Sequence, residues 1–178
     1  MKIPKSCQVE KAISTDAHRT CIQHAYLSGN TLTATNAIVM ARIPVERDVH
    51  DADGYVSKEA LKAARKAAGR LNYPAIQANG ALTLPNGQSF PRPQEGDGFS
   101  KWPNCDQVWN PVWGRPVKFK IAFSTEQLAD LAAAMGTEGV TLEITAETDP
   151  IRVLPCNTRK VKSSHIGSKG IIMPIRTA

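Results

Sequence analysis

One order of elements occurs twice along this chain. A strand, a helix and three short strands follow one another over 54–90, and the same order returns over 117–175. A duplicated supersecondary unit restricts the fold more than any single motif, because each copy has a bare apolar face that another element must cover. In the first copy, Gly54-Tyr55-Val56-Ser57 leads into a helix over 57–70 (SKEALKAARKAAGR), with Ser57 as N-cap and Gly69 near the end. Strands at 75–78, 81–84 and 88–90 follow, turning at Asn79-Gly80 and Pro85-Asn86-Gly87. In the second copy, the alternating strand 117–123 (VKFKIAF) precedes Ser124 and Gln127, an S-x-x-Q capping box that opens a helix through Met135. Strands at 140–145, 151–154 and 170–175 complete it.

Upstream of both copies, 20–28, 31–35 and 38–45 read as a three-stranded meander with a turn at Gly29-Asn30. Any helix within 6–18 is short and poorly patterned. Residues 91–116 differ in character, with Pro91, Pro93, Pro103, Pro111 and Pro116 set among Trp102, Trp109 and Trp113. Proline breaks regular structure, whereas indole rings are costly to leave in water, so this stretch reads as an ordered crossover lying on a sheet. The expected fold is α+β, with antiparallel sheets and two main helices. The expected division is 1–95 for meander plus first repeat, 96–116 for the crossover and 117–178 for the second repeat.

With 42% hydrophobic residues in 178, the chain can bury a core, which argues against intrinsic disorder. Its longest apolar runs, such as Ala37-Ile38-Val39-Met40-Ala41, fall far short of the roughly 20 residues of a membrane helix. No apolar stretch follows Met1-Lys2-Ile3-Pro4-Lys5-Ser6, so the expectation is no secretory signal, no membrane and a cytoplasmic location. Cys7, Cys21, Cys105 and Cys156 lack C-x-x-C spacing, and His18, His24, His50 and His165 are dispersed. The reading is reduced thiols, no metal and no cofactor. Asp51-Ala52-Asp53-Gly54 is too short for a calcium loop and reads as a turn. No nucleophile elbow, phosphate loop or zincin motif is present, so the chain reads as no enzyme. A nucleotide- or nucleic-acid-processing activity is left a place only in the 91–116 crossover.

Charge is concentrated in two places. The formal net charge is +6, and residues 150–178 hold six bases and no acid, while the remaining bases and acids balance at sixteen each. Within 57–70, Lys58, Lys62, Arg65, Lys66 and Arg70 face only Glu59. Concentrated basic patches on a neutral body suit a polyanionic partner.

A family resemblance is carried by several segments in order. The hairpin Leu27-Ser28-Gly29-Asn30-Thr31-Leu32-Thr33-Ala34-Thr35-Asn36, Gly54-Tyr55-Val56-Ser57 leading into Leu61, and Phe99-Ser100-Lys101-Trp102-Pro103 resemble bacterial sliding clamps, the β subunit of the replicative DNA polymerase. So do Phe119-Lys120-Ile121-Ala122-Phe123 and the terminal Ile171-Ile172-Met173-Pro174-Ile175-Arg176. Asn36 stands where the family pattern has aspartate, and this chain has two full repeats plus a meander, where a family subunit has three domains of two repeats each. The resemblance implies a shortened DNA-clamp-like fold of repeated βαβββ units. It also implies double-stranded DNA, DNA polymerase or other clamp-binding proteins, and further copies of the chain as partners.

On helix 57–70 the bases Lys58, Lys62, Arg65, Lys66 and Arg70 form one stripe opposite Ala60, Leu61, Ala64, Ala67 and Ala68. Such a stripe matches duplex phosphates without reading bases; an ordinary solvated face is the competing reading. The second helix carries Glu126 and Asp130 and no base, which suits instead a clamp-fold protein–protein module that does not encircle DNA. Arg159, Lys160 and Lys162 lie in a Ser/Gly/Lys stretch that either contacts phosphates or only solubilises. By resemblance, Ile171, Met173, Pro174, Ile175 and Arg176 line a groove for partner peptides, against the alternative of a core-facing last strand.

Overall fold

Ser57 begins the first helix as its position predicts: in the computed structural model its Oγ accepts the Ala60 N–H at 3.2 Å. The structure describes residues 1–69, 73–94, 101–113, 115–117, 120–156 and 168–175. Helix α1 spans Lys58–Ala68, and Gly69 ends it with φ +60°. The chain divides into two compact units, Met1–Val108 and Trp109–Ala178.

In the first unit, strands β1 (His24–Ser28), β2 (Thr31–Thr35), β3 (Met40–Pro44) and β4 (Gly54–Ser57) form an antiparallel sheet in the order β3-β2-β1-β4. Strands β5 (Gln77–Asn79), β6 (Ala81–Thr83) and β7 (Ser89–Pro91) form a second sheet. The opening strand of each half pairs with the meander of the other. β4 lies against β1, Ala25 opposite Val56 and Leu27 opposite Gly54. Reciprocally, Ile3 N–H donates to Pro74 O at 2.9 Å, and Ile76 N–H donates to Met1 O at 3.0 Å. Lys2 also bridges Glu46 at the end of its own meander. The meander at 20–45 therefore belongs to a repeat in its own right, whose helix is reduced to the 3-10 turn Val9–Ala12.

The core of this unit lies between the inner faces of the two sheets and α1. Alternation places Ala25, Leu27, Leu32, Ala34, Val56, Ala78 and Leu82 inside, fully buried. Ala60, Leu61 and Ala64 are the buried face of α1, and the small alanines let the helix sit close to the strands. Beneath the loop after β3, Asp51 is buried as well; the sequence had placed it only in a turn. Its carboxylate accepts the Ala78 N–H at 2.7 Å and the Asp48 N–H at 2.9 Å, and it pairs with the buried Met1 ammonium.

Arg92, also buried, donates to the carbonyls of Tyr55 at 3.0 Å, Ala78 at 3.1 Å and Ala52 at 2.7 Å. Gly54 lies against this guanidinium with φ +139°, and a Cβ there would stand 3.0 Å from an Arg92 terminal nitrogen. Gly54→Ala is thus expected to cost about 1–3 kcal/mol, from strained backbone and a displaced arginine, in a denaturant unfolding curve followed by circular dichroism. At the β2–β3 turn, Asn36 Oδ1 accepts the N–H groups of Ile38 at 3.0 Å and Val39 at 2.9 Å. An acceptor oxygen does this work, and asparagine and aspartate both supply it. Asn36→Asp is expected to unfold at the wild-type denaturant midpoint, whereas Asn36→Ala loses about 1 kcal/mol.

The crossover behaves in two ways. Trp102 stacks on Tyr26 (centroids 5.3 Å apart, 15° between planes) and meets Tyr55 edge-on at 6.1 Å, covering the outer face of β1 and β4. The expected irregular run is corrected further on, where Asp106–Trp113 forms a helix, α2, despite Pro111 within it. Asn104 Oδ1 accepts the Asp106 N–H at 3.2 Å at its start.

In the second unit, α3 (Thr125–Ala134) begins at Ser124, whose Oγ accepts the Gln127 N–H at 3.3 Å. Strands β8 (Val140–Glu143), β9 (Ile151–Pro155) and β10 (Gly170–Ile172) form one antiparallel sheet in the order β10-β9-β8. The expected strand 117–123 shows among its described residues one bridge, Ala122 to Ile175. A small core gathers Met135, Ile151, Val153 and Ile172. Among the described residues no helix is long and apolar enough to cross a membrane.

Candidate nucleic-acid interface

The buried stripe of α1 faces the sheets, which leaves its other side to solvent. Lys58, Lys62 and Lys66 recur every four residues and so share that side, drifting about 40° per step; Lys62 and Lys66 are exposed and Lys58 is half-buried. None of the three has an acidic partner among the described residues.

Arg65 departs from the stripe that the sequence assigned it to. Its guanidinium pairs with Glu10, Nε to Oε1 at 2.8 Å and Nη2 to Oε2 at 3.2 Å, and also donates to the Cys7 and Lys5 carbonyls. A bidentate pair beside two carbonyls occupies the planar fork and ties α1 to the 3-10 turn. Glu10 loses solvation by burial, which raises its pKa, but the Arg65 hydrogen bonds and charge prevail and hold its carboxyl below the usual range. Arg65 is therefore a structural tie. Arg70 lies outside the described residues, as do Arg159, Lys160, Lys162 and Arg176.

Lys11 was missed by sequence reading. It lines, with Lys58 and Lys62, a groove between α1 and the segment 10–16 that Asp16 and Asn36 also border. The segment is nearly featureless as sequence, so no periodic signal joins Lys11 to the helix.

With the two helices aligned on their capping serines, Thr125, Ala129 and Ala133 of α3 stand where α1 has Lys58, Lys62 and Lys66. Of these two helices, α1 carries the basic stripe and α3 does not. At the other end of the chain, Ile171, Met173 and Ile175 are exposed and Pro174 is half-buried, while Ile172 between them points into the core. Ile171, Met173 and Ile175 thus form an apolar row turned outward, and Ile172 is buried.

The chemistry for catalysis is sparse. The four cysteines are unpaired, and burial pushes the Cys105 thiol up, away from the thiolate a nucleophile needs. Among the described residues no group of three His, Cys, Asp or Glu side chains is placed to hold a metal ion.

In the first unit the two halves exchange opening strands, one half carrying α1 and the other the 3-10 turn, each with its own sheet. The C. crescentus β sliding clamp superposes on 94% of this chain with a TM-score of 0.62 at 14% sequence identity. The chain has the sliding-clamp fold. It spans 46% of that clamp's length. The Thermotoga maritima DNA polymerase III β subunit also aligns, over 96% of this chain and 62% of its own, with a TM-score of 0.48 at 15% identity. No protein-family model matches the sequence, and no curated protein matches it. The sliding-clamp fold is thus a likeness of shape at low identity, within which α1 carries this chain's lysine stripe.

Proposed function

We propose that this chain is a sliding-clamp-like accessory or processivity factor of DNA replication, with no catalytic step. It holds duplex DNA by its phosphates and without regard to sequence. The observation that carries this reading is the stripe of Lys58, Lys62 and Lys66, fixed by a buried opposite face and left without acidic partners among the described residues, on a helix of the sliding-clamp fold. Lys11 extends it at one end. Arg70, Arg159, Lys160 and Lys162 are further phosphate contacts in this proposal. The outward row Ile171, Met173 and Ile175, with Pro174, offers apolar walls to a linear peptide of a polymerase or another clamp-binding protein, and Arg176 is its polar rim in this proposal. In this proposal the protein acts in the cytoplasm, beside those partners.

Fluorescence anisotropy with a labelled duplex over a salt series tests the DNA role. Affinity should be the same for unrelated sequences and fall steeply with salt. A second reading, a clamp-fold protein–protein module that does not encircle DNA, is favoured by the uncharged positions Thr125, Ala129 and Ala133 of α3. No binding in low salt would leave that module as the better account.

A further inference from the structure

The groove beside α1 gathers three ammonium groups. It runs between the helix and the segment 10–16, has a volume of about 800 Å³, and is lined by Lys11, Lys58 and Lys62. That volume lies within the roughly 300–1,000 Å³ of sites that take small molecules. We propose that the groove is a seat for a free phosphate chain, that of a nucleoside triphosphate or an inorganic polyphosphate, besides any contact of α1 with duplex DNA.

Three observations support this. The first is the state of the acids in the groove. Glu10 turns both carboxylate oxygens to Arg65, at 2.8 and 3.2 Å. Asp16 lies 3.6 Å from Arg19 and accepts the His18 N–H at 3.0 Å. Each acid thus has an arginine beside it, whereas among the described residues no salt bridge reaches Lys11, Lys58 or Lys62. The lining is therefore electropositive.

The second is the placement of the lysines on α1. Lys58 is the first residue of the helix, where the dipole disfavours a cation and favours an anion. Lys62 follows at i+4, a spacing at which like charges repel. Neither charge helps the helix by itself, and Lys11 brings a third toward them from another segment. A phosphate chain in the groove would turn this repulsion into attraction, with each ammonium donating to a phosphoryl oxygen.

The third is an apolar side chain on the same lining. Ile38, at the β2–β3 turn, borders the groove and is 84% exposed. Cations together with an exposed apolar surface suit a ligand that is part phosphate and part base.

The seat does not rest on the DNA reading, although the two share Lys58 and Lys62. They differ in Lys66, which belongs to the stripe and does not line the groove. Isothermal titration calorimetry of the full chain at about 0.15 M salt, with tripolyphosphate, dATP and deoxyadenosine as probes, tests the seat. Both triphosphates should bind one to one, and deoxyadenosine should give no heat. Tighter binding of dATP than of tripolyphosphate assigns the seat to a nucleotide, and binding no tighter assigns it to the phosphate chain alone. Lys11→Gln and Lys58→Gln should each weaken tripolyphosphate about tenfold. The ligand-free melting temperature of Lys58→Gln should stand at or above that of wild type, which separates a lost contact from a lost fold. Lys66→Gln should weaken duplex binding and leave tripolyphosphate affinity within about threefold. Triphosphate binding without any duplex binding would remove the DNA role and leave the seat. Absence of triphosphate binding in the wild type would overturn the seat, as would a loss in Lys66→Gln equal to that in Lys11→Gln, the mark of general attraction to a charged helix.

Discussion

Replacing Lys58, Lys62 and Lys66 together by glutamate is expected to lower duplex affinity about a hundredfold or more near 0.1 M salt, and to cut the logarithmic salt slope by about 3, because each phosphate contact releases close to 0.9 counterion. The three side chains leave α1 on the side opposite Ala60, Leu61 and Ala64, so reversal adds charge without touching the core. Stability should therefore stay within about 0.5 kcal/mol of wild type, which separates a binding loss from an unfolding loss. Arg65→Ala is the internal contrast. It removes the pair with Glu10 and the tie to the 3-10 turn, so it should lower the unfolding midpoint and leave the salt slope intact. Anisotropy titrations at several salt concentrations, beside a thermal melt, read both quantities. An unchanged slope in the triple variant would remove the DNA role from α1.

Asp51→Ala should be the most damaging single change, costing about 3–5 kcal/mol, because it leaves a buried ammonium and two N–H groups without their acceptor. Burial by itself raises the carboxyl's pKa, but the hydrogen bonds from the Met1 ammonium, Ala78 and Asp48 outweigh it and hold the group below its ordinary value. The sign of the pH dependence follows. A carboxylate depressed in the folded state contributes its full stability above its unfolded pKa of about 3.9 and loses it as pH falls toward the folded value. Glu10, depressed by Arg65, adds in the same direction. The wild-type melting temperature should be level across neutral pH and drop below about pH 4, and the Asp51→Ala variant should melt lower at neutral pH with a shallower acid drop. A parallel acid drop in both proteins would show that the acid sensitivity arises elsewhere. With a total stability of about 5–15 kcal/mol for a domain of this size, a loss on this scale brings the first unit close to unfolding at room temperature.

Much of the architecture is legible in the sequence because its signals are local. The capping serines, the Asn-Gly turns and the change from alternating to helical periodicity need only neighbours within a few residues. They place α1, α3 and most strands within a few positions of their observed ends. The weaker places have a physical cause. The 3-10 turn at Val9–Ala12 is too short for periodicity to register, and α2 forms around Pro111 where local propensity argues against a helix. Lys11 and Arg65 changed meaning for the same reason in opposite directions. The segment that lines the groove beside Lys58 is the one that presents Glu10 to Arg65, and nothing local links it to α1.

By itself the sequence determined the repeat, the caps and the side of α1 on which its charges lie, since these follow from short-range geometry and hydrophobic period. Only the tertiary structure decided which charges are free. A guanidinium finds its carboxylate 55 residues away, and a carboxylate its backbone donor 27 away, by the closing of sheets. It also decided which halves pair. Strand edges carry no mark in composition, and in the first unit their partners are chosen when the opening strands exchange, β4 onto β1 and the segment 1–3 onto the one at 74–76.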